Sequence, residues 1–102
     1  MDMHIAEVSV GLNSRETQAI ARVIVMNGLG EPVADATVDG AWSGIITRGD
    51  TRRTTDATGT ATFYSARSRD SGDVTFCVMN ISKDGMNHDD GADVEACDTV
   101  SK

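Results

Sequence analysis

The sequence predicts an all-β domain, a two-sheet sandwich of about seven antiparallel strands. Apolar and polar residues alternate in short blocks that are rich in Thr and Val, and turn residues separate the blocks. No window shows the three-and-four spacing, bounded by caps, that an amphipathic helix requires. With 102 residues the chain has the size of one domain with a modest core, so residues 1–102 are expected to form one unit.

Two strands open the chain, at residues 4–12 and 18–27. In the second strand, Ala and Val share one face while Ile and Met share the other, so we expect a central strand covered on both sides. Residues 27–32, NGLGEP, then form a turn, because Gly permits positive φ and Pro cannot donate to a ladder. The first strand is expected to place on one face Ala6, Val8, Val10 and Leu12.

The third strand is predicted at residues 36–42. Trp42 shares the parity of the apolar residues before it, so its ring is expected in the core. Gly44 ends the strand, and residues 45–46 are expected to continue as an edge before the polar loop 47–53.

A second turn is predicted at residues 56–59, DATG, because Asp at the first position and Gly at the last are typical of a type I turn. We expect this turn to close a hairpin, with residues 60–65 as the return strand. The last two strands are predicted at residues 73–81 and 93–100, on either side of a long acidic loop.

Three segments carry a familiar pattern. They are VIVMN at residues 23–27, G-x-P-V-x-x-A-x-V-x-G-x-W-S-G at residues 30–44, and T-T-D-x-x-G-x-A-x-F at residues 54–63. The region from 21 to 81 resembles bacterial immunoglobulin-like domains, such as invasin-type repeats and the fibronectin-III-like accessory modules of secreted proteases and other hydrolases. The resemblance implies an immunoglobulin-like sandwich outside the cell, noncatalytic, that acts as a spacer or contacts a parent enzyme domain, another protein or carbohydrate.

The charge of the chain excludes some partners. A formal net charge of −7 and a pI near 4.5 oppose general binding to nucleic acid or anionic lipid, which relies on clustered Lys and Arg. No apolar run approaches the roughly 20 residues that span a bilayer. Residues 1–12 also lack the basic start and apolar middle of a signal peptide. We therefore expect neither nucleic-acid binding nor membrane insertion.

Cys77 and Cys97 fall on the last two predicted strands. If Phe76 and Val78 face the core, alternation puts both cysteines on the outer face. A register that pairs the cysteines keeps apolar neighbours together on the other side. The sequence therefore permits a cross-strand disulfide, which would imply an oxidising compartment; the alternative is two separate reduced thiols.

Acidic side chains cluster in the loop before the last strand. Calcium prefers about six to eight hard oxygen ligands, and this loop offers carboxylates and an amide. The spacing matches no EF-hand, and the alternative is a solvated acidic hairpin. The candidate ligands are Asp84, Asn87, Asp89, Asp90 and Asp93.

The polar loop between the third and fourth strands contains RGD, the tripeptide that integrins recognise on exposed loops. Three-residue matches often arise by chance, so the alternative is a basic surface patch that also includes Arg67 and Arg69. Such a patch, distinct from the acidic final hairpin, would favour head-to-tail contacts or docking on a parent enzyme. The candidate binding loop consists of Arg48, Gly49, Asp50, Arg52 and Arg53.

Catalysis finds little support in the residues. No nucleophile elbow is present, and His4 and His88 lie in no recognisable motif. A paired-carboxylate hydrolase needs a cleft with aromatic walls, which one Trp and one Tyr scarcely provide. The leading hypothesis is a noncatalytic accessory module; a calcium-dependent binding or adhesive domain and a small hydrolase are the alternatives.

Overall fold

A computed structural model describes residues 2–15, 17–88 and 96–101. This part of the chain contains strands and connecting loops but no helix, so it contains no helix that could cross a membrane. The strands are β1 (Asp2–Leu12), β2 (Ala19–Asn27), β3 (Thr37–Gly44), β4 (Arg52–Thr54), β5 (Thr60–Tyr64), β6 (Asp73–Ser82), β7 (Asn87–His88) and β8 (Cys97–Ser101).

The strands form two sheets that pack face to face, in the orders β5-β2-β1-β7 and β4-β3-β6-β8. Neighbouring strands are antiparallel except for the short parallel pair of β1 and β7. In immunoglobulin nomenclature, β5-β2-β1 correspond to strands E-B-A, and β4-β3-β6-β8 correspond to C′-C-F-G. The predicted immunoglobulin-like sandwich is therefore confirmed.

Aromatic rings from both sheets meet in the centre of the core. Phe63 of β5 and Phe76 of β6 are fully buried, with ring centroids 4.6 Å apart. Trp42 of β3 packs its ring edge against Phe76 at 4.8 Å and is 5% exposed. The position predicted for Trp42 is confirmed, and the rest of the core consists of Val, Ile, Ala and Met.

Two β-bulges decide which side chains reach this core. In β1 the register shifts at Ala6, so Met3 and Ile5 are buried before the bulge and Val8 is buried after it. Simple alternation placed Ala6 with Val8 and omitted the two earlier residues, and this was wrong because one extra residue switches the parity of a strand. In β6 the extra residue is Met79, whose side chain is 70% exposed.

The DATG turn was expected to close a hairpin, but β4 and β5 lie in different sheets, and so do β2 and β3. The DATG turn itself forms as predicted, with the Gly59 amide donating to the Asp56 carbonyl at 3.0 Å. The Gly59 carbonyl then accepts from the Val25 amide at 2.8 Å, which aligns β5 with β2. The predicted hairpin was wrong because the turn directs the chain to the other sheet.

The sandwich is elongated, with dimensions of 43 × 23 × 18 Å. β1 begins at one end, beside the β2–β3 loop and the β4–β5 turn, and we call this the β1 end. β8 finishes at the other end, beside the β1–β2, β3–β4 and β5–β6 loops, and we call this the β8 end.

Candidate functional site

A disulfide joins β6 to β8 in the register that the cysteines predict. Cys77 and Cys97 lie directly opposite one another with their Cα atoms 4.0 Å apart. The Val78 amide donates to the Ala96 carbonyl at 2.7 Å, so the cysteines form the adjacent pair without backbone hydrogen bonds, where facing side chains come closest. The predicted disulfide is confirmed.

The candidate calcium ligands are only partly within the described residues. Asp84 lies in an exposed turn after β6, and Asn87 lies exposed on β7. Asp89, Asp90 and Asp93 fall outside the described residues. Within the ranges that the structure describes, no three His, Cys, Asp or Glu side chains come together in a way that could hold a metal ion.

The RGD loop is docked against the end of β5. The Asp50 amide donates to the Tyr64 carbonyl at 2.9 Å, and the Asp50 carboxylate accepts from the Tyr64 amide at 3.0 Å. The Asp50 carbonyl accepts from the indole nitrogen of Trp42 at 3.0 Å. The loop therefore turns the Asp50 side chain toward the body of the sandwich instead of presenting it at a loop tip.

Gly49 shows how closely this loop approaches the strand. Its φ is 151°, and a Cβ added here would lie 2.6 Å from the Ser65 Cα and 2.7 Å from the Trp42 indole nitrogen. No side chain fits at this contact between two backbones. The central residue of the tripeptide is thus required by packing.

Asp50 and Asp56 cap the outer edge of β5 at its two ends. Gly59 and Ser65 bond to β2, so alternation directs the backbone groups of Thr60, Thr62 and Tyr64 outward. Asp50 binds the outward groups of Tyr64, and Asp56 exchanges bonds with Thr60, accepting from its amide at 3.2 Å. One residue remains between the caps, which is too short an edge for pairing with another strand.

The electrostatics of the two caps favour their charged forms. A hydrogen bond from Arg53 and another from the Tyr64 amide hold the pKa of Asp50 below its ordinary value. The Thr58 hydroxyl and amide do the same for the pKa of Asp56. Both caps are therefore strongest when the carboxylates are ionised.

The arginines of the candidate binding loop do not form one group. Arg52 binds Asp39 at 2.6 Å and Arg53 binds Asp50 at 2.7 Å, both on the surface. Arg48 instead lies at the β8 end with three arginines from the β1–β2 and β5–β6 loops. These four residues, which we call the arginine cluster, are Arg15, Arg48, Arg67 and Arg69.

The arginine cluster surrounds two adjoining hollows. One, of about 370 Å³, is lined by Arg15, Arg67 and Arg69 with Thr17 and Ser68. The other, of about 230 Å³, shares Arg67 and Ser68 and is completed by Arg48 and by residues of the β3–β4 and β5–β6 loops. Sequence reasoning did not include Arg15, although the sandwich order places the β1–β2 loop at the same end as the other two loops.

The opposite end is acidic. A hollow of about 690 Å³ there is lined by polar residues that include Asp35, Asp84 and His88. Lys83 also lines it, but its ammonium group donates to the Ala34 carbonyl at 2.6 Å. Among the described residues, the arginine cluster thus lies at the β8 end, together with Asp70 and Asp73, and the hollow at the β1 end has two carboxylates and one lysine in its wall.

Comparison with known proteins finds no match for this chain. No protein-family model matches the chain, and neither the curated proteins nor the solved structures give a match. The likeness to bacterial immunoglobulin-like modules consequently stays a prediction from the sequence motifs, and the assignment of function below rests on the geometry of this chain.

Proposed function

We propose that the chain is a noncatalytic immunoglobulin-like module of a secreted or cell-surface bacterial protein, acting as a spacer and as a contact domain. The path of the chain carries this proposal. β1 begins at one end of the 43 Å long axis and β8 finishes at the other. The domain therefore separates the start of its first strand from the end of its last strand by its full length. Such a path suits a spacer.

Ties across the edges support a rigid role. The Asp98 carboxylate of β8 accepts from the Val10 amide of β1 at 2.7 Å, which joins the two sheets. The disulfide fixes β8 to β6, and the aspartate caps fix both ends of β5. Loops carried on such a frame keep their positions relative to one another, which suits a contact domain.

The state of the cysteines supports placement outside the cytosol. Disulfides form and persist in oxidising compartments and are rare where thioredoxin and glutathione keep thiols reduced. Cys77 and Cys97 are bonded to each other, so neither thiol is available as a nucleophile. Both points favour a secreted, noncatalytic module.

Distance measurements test the spacer role. Spin labels placed on Asp2→Cys and Ser101→Cys, with the native disulfide intact, should give one narrow distance distribution close to the long dimension of the sandwich. A broad distribution, or a distance near the short dimensions, would contradict it. The control is the same double label after unfolding in denaturant, which should broaden the distribution.

Cell fractionation tests the location. An antibody against the domain should detect the full-length protein at the cell surface or in the medium, with both cysteines protected from alkylation until reductant is added. Detection only in the cytosol with two free thiols would refute secretion. That result would leave the distance measurement unaffected, so the two parts of the proposal fail separately.

A further inference from the structure

The loops at the β8 end form a fixed platform for the arginine cluster. The Ser68 amide donates to the Thr17 carbonyl at 2.8 Å, and the Ala66 amide donates to the Arg48 carbonyl at 2.8 Å. The side chain of Gln18 donates to the Ser65 carbonyl at 2.9 Å. The β5–β6 loop is therefore bonded to both neighbouring loops, and the backbones that carry the four arginines are positioned in advance of any contact.

Within the part of the chain that the structure describes, the arginine cluster has no ion pair, unlike Arg52 and Arg53 of β4. Arg52 and Arg53 each bind a carboxylate at less than 3 Å, whereas no ion pair joins a cluster member to any described residue. Asp70, which follows the last member in sequence, is exposed, and its amide donates to the Ser68 hydroxyl. Among the described residues at this end, the four arginines outnumber the exposed carboxylates Asp70 and Asp73, and this excess of positive charge suits an anionic ligand.

The net charge of the protein does not prevent such binding. Salt screens charges beyond a Debye length of about 8 Å at physiological ionic strength. The sandwich is 43 Å long, so the carboxylates at the β1 end lie several Debye lengths from the cluster. A ligand at the β8 end is therefore influenced chiefly by the charges of that end, where the described residues include the four arginines, Asp70 and Asp73.

The walls of the two hollows indicate the kind of anion. Arginine binds sulfate, phosphate and carboxylate through paired N–H groups. The hydroxyls of Thr17 and Thr47 add polar groups to the walls, and Ile45 adds an aliphatic surface. Among the described residues, no aromatic side chain lines either hollow, so the stacking platform used for single-stranded nucleic acid is missing.

We propose that the arginine cluster binds an anionic glycan, an oligosaccharide chain that carries sulfate or phosphate groups. One anionic group lies in the larger hollow and the next lies in the smaller one, with Arg67 between them contacting both. The inference deepens the contact role proposed above and rests on it.

Titration of the full chain tests the proposal. The probes are a fluorescent sulfated hexasaccharide, a glycerol phosphate oligomer, neutral dextran and single-stranded DNA of matched charge, all at about 50 mM and 200 mM salt. We expect binding of the sulfated or the phosphorylated probe, weakened by salt, and none of dextran. Whichever of the two binds more tightly identifies the anionic group.

Variants connect the binding to the cluster. Arg67→Gln is expected to weaken it about tenfold, because the shared arginine is lost, and Arg15→Gln with Arg69→Gln is expected to weaken it further. The matched control is Arg52→Gln, which removes a paired arginine elsewhere on the surface and should change affinity less than about twofold. Melting temperatures equal to that of the unmodified protein would show that each variant is folded.

Three results would overturn the proposal. They are no binding of either anionic glycan at low salt, equal losses for Arg67→Gln and Arg52→Gln, and DNA binding as tight as glycan binding. Salt-dependent self-association seen by sedimentation, abolished by Arg67→Gln and without glycan binding, would assign the surface to a second copy instead. The spacer geometry is measured separately by the spin labels and survives each of these outcomes.

Discussion

At the scale of single residues, Gly40 shows how packing in the core determines the size of a residue, which the alternation of apolar and polar residues along a strand does not. Its position on β3 lies beneath the ring of Phe76, and an added Cβ would contact that ring and lie 2.9 Å from the Cys77 carbonyl. The ring is held from its other sides by Trp42 and Phe63 and has little room to move. The small residue and the large one therefore form a complementary pair.

Gly40→Ala should lower the free energy of unfolding by about 1–3 kcal/mol, because the methyl group overpacks the core. The matched control is Gly11→Ala on β1, where nothing lies within 4 Å of an added Cβ and the change should be neutral or slightly stabilising. Urea denaturation of both variants provides the measurement. Equal effects of the two substitutions would contradict the packing argument.

Asp50 should make the free energy of unfolding depend on pH. Its folded pKa is lowered, so its contribution is complete above the unfolded pKa, about 4, and is lost as the pH falls through the folded pKa. We expect the urea midpoint to fall between pH 7 and pH 3, and Asp50→Asn to reduce that fall while lowering stability at pH 7. An unchanged pH profile in the variant would show that other carboxylates carry the effect.

At the scale of elements, the hairpin of β6 and β8 depends on its covalent bond. The two cysteines are 20 residues apart in sequence, so the bond restricts a sizeable segment of the unfolded chain. Replacing both cysteines by Ser should lower the free energy of unfolding by about 3 kcal/mol. Unfolding of the unmodified protein with and without reductant provides an independent comparison, and a difference close to zero would argue against the bond.

Asp98 is an inward-facing charge on the edge strand β8, opposite the buried Phe76. Its carboxylate satisfies the outward amide of Val10, and such inward charges are a common protection of exposed sheet edges. Asp98→Ala should cost about 1–3 kcal/mol because a partly buried amide loses its charged partner. The control is Asp39→Ala, which removes an exposed ion pair and should cost less than about 1 kcal/mol.

The pairing of strands could be predicted from the sequence where a short-range residue pattern determines it. The parity of the cysteines and their apolar neighbours permitted the register of β6 with β8 that the structure shows. The sheet that β5 joins depends on its pairing with β2, which is distant in sequence, and the DATG turn carries no information about that pairing. The bulges at Ala6 and Met79 break the alternation on which the prediction relied, because Ile5 and Val8 are both buried across the first bulge and Val78 and Ile81 across the second.

For the candidate sites, too, the sequence shows which residue types are present but not which partners they contact. Residue type revealed that arginines were available, but only the three-dimensional arrangement separates Arg52 and Arg53, which bind carboxylates, from Arg48, which lies in the cluster. The RGD tripeptide suggested an exposed ligand, whereas Asp50 caps a strand. A three-letter motif could not convey this, because its partner Tyr64 lies on a strand further along the chain.

At the scale of the whole molecule, the two ends of the sandwich have opposite chemical character. Exposed carboxylates lie on loops at the β1 end, and the arginine cluster occupies loops at the β8 end. A net charge alone would predict a uniformly acidic surface. The fold instead gives the domain an electrostatic direction along its long axis, so its two ends should attract different partners.

The opposite placement of the first and last strands also has a mechanical consequence. Tension applied through the start of β1 and the end of β8 pulls each strand along its own length, so the hydrogen bonds of its ladder resist together instead of opening one after another. On β8 only the residues after Cys97 can be drawn away before the load reaches the disulfide and passes to Cys77, in the middle of its sheet. We therefore expect the domain to resist stretching, and we expect the disulfide to prevent further separation of β8 from β6.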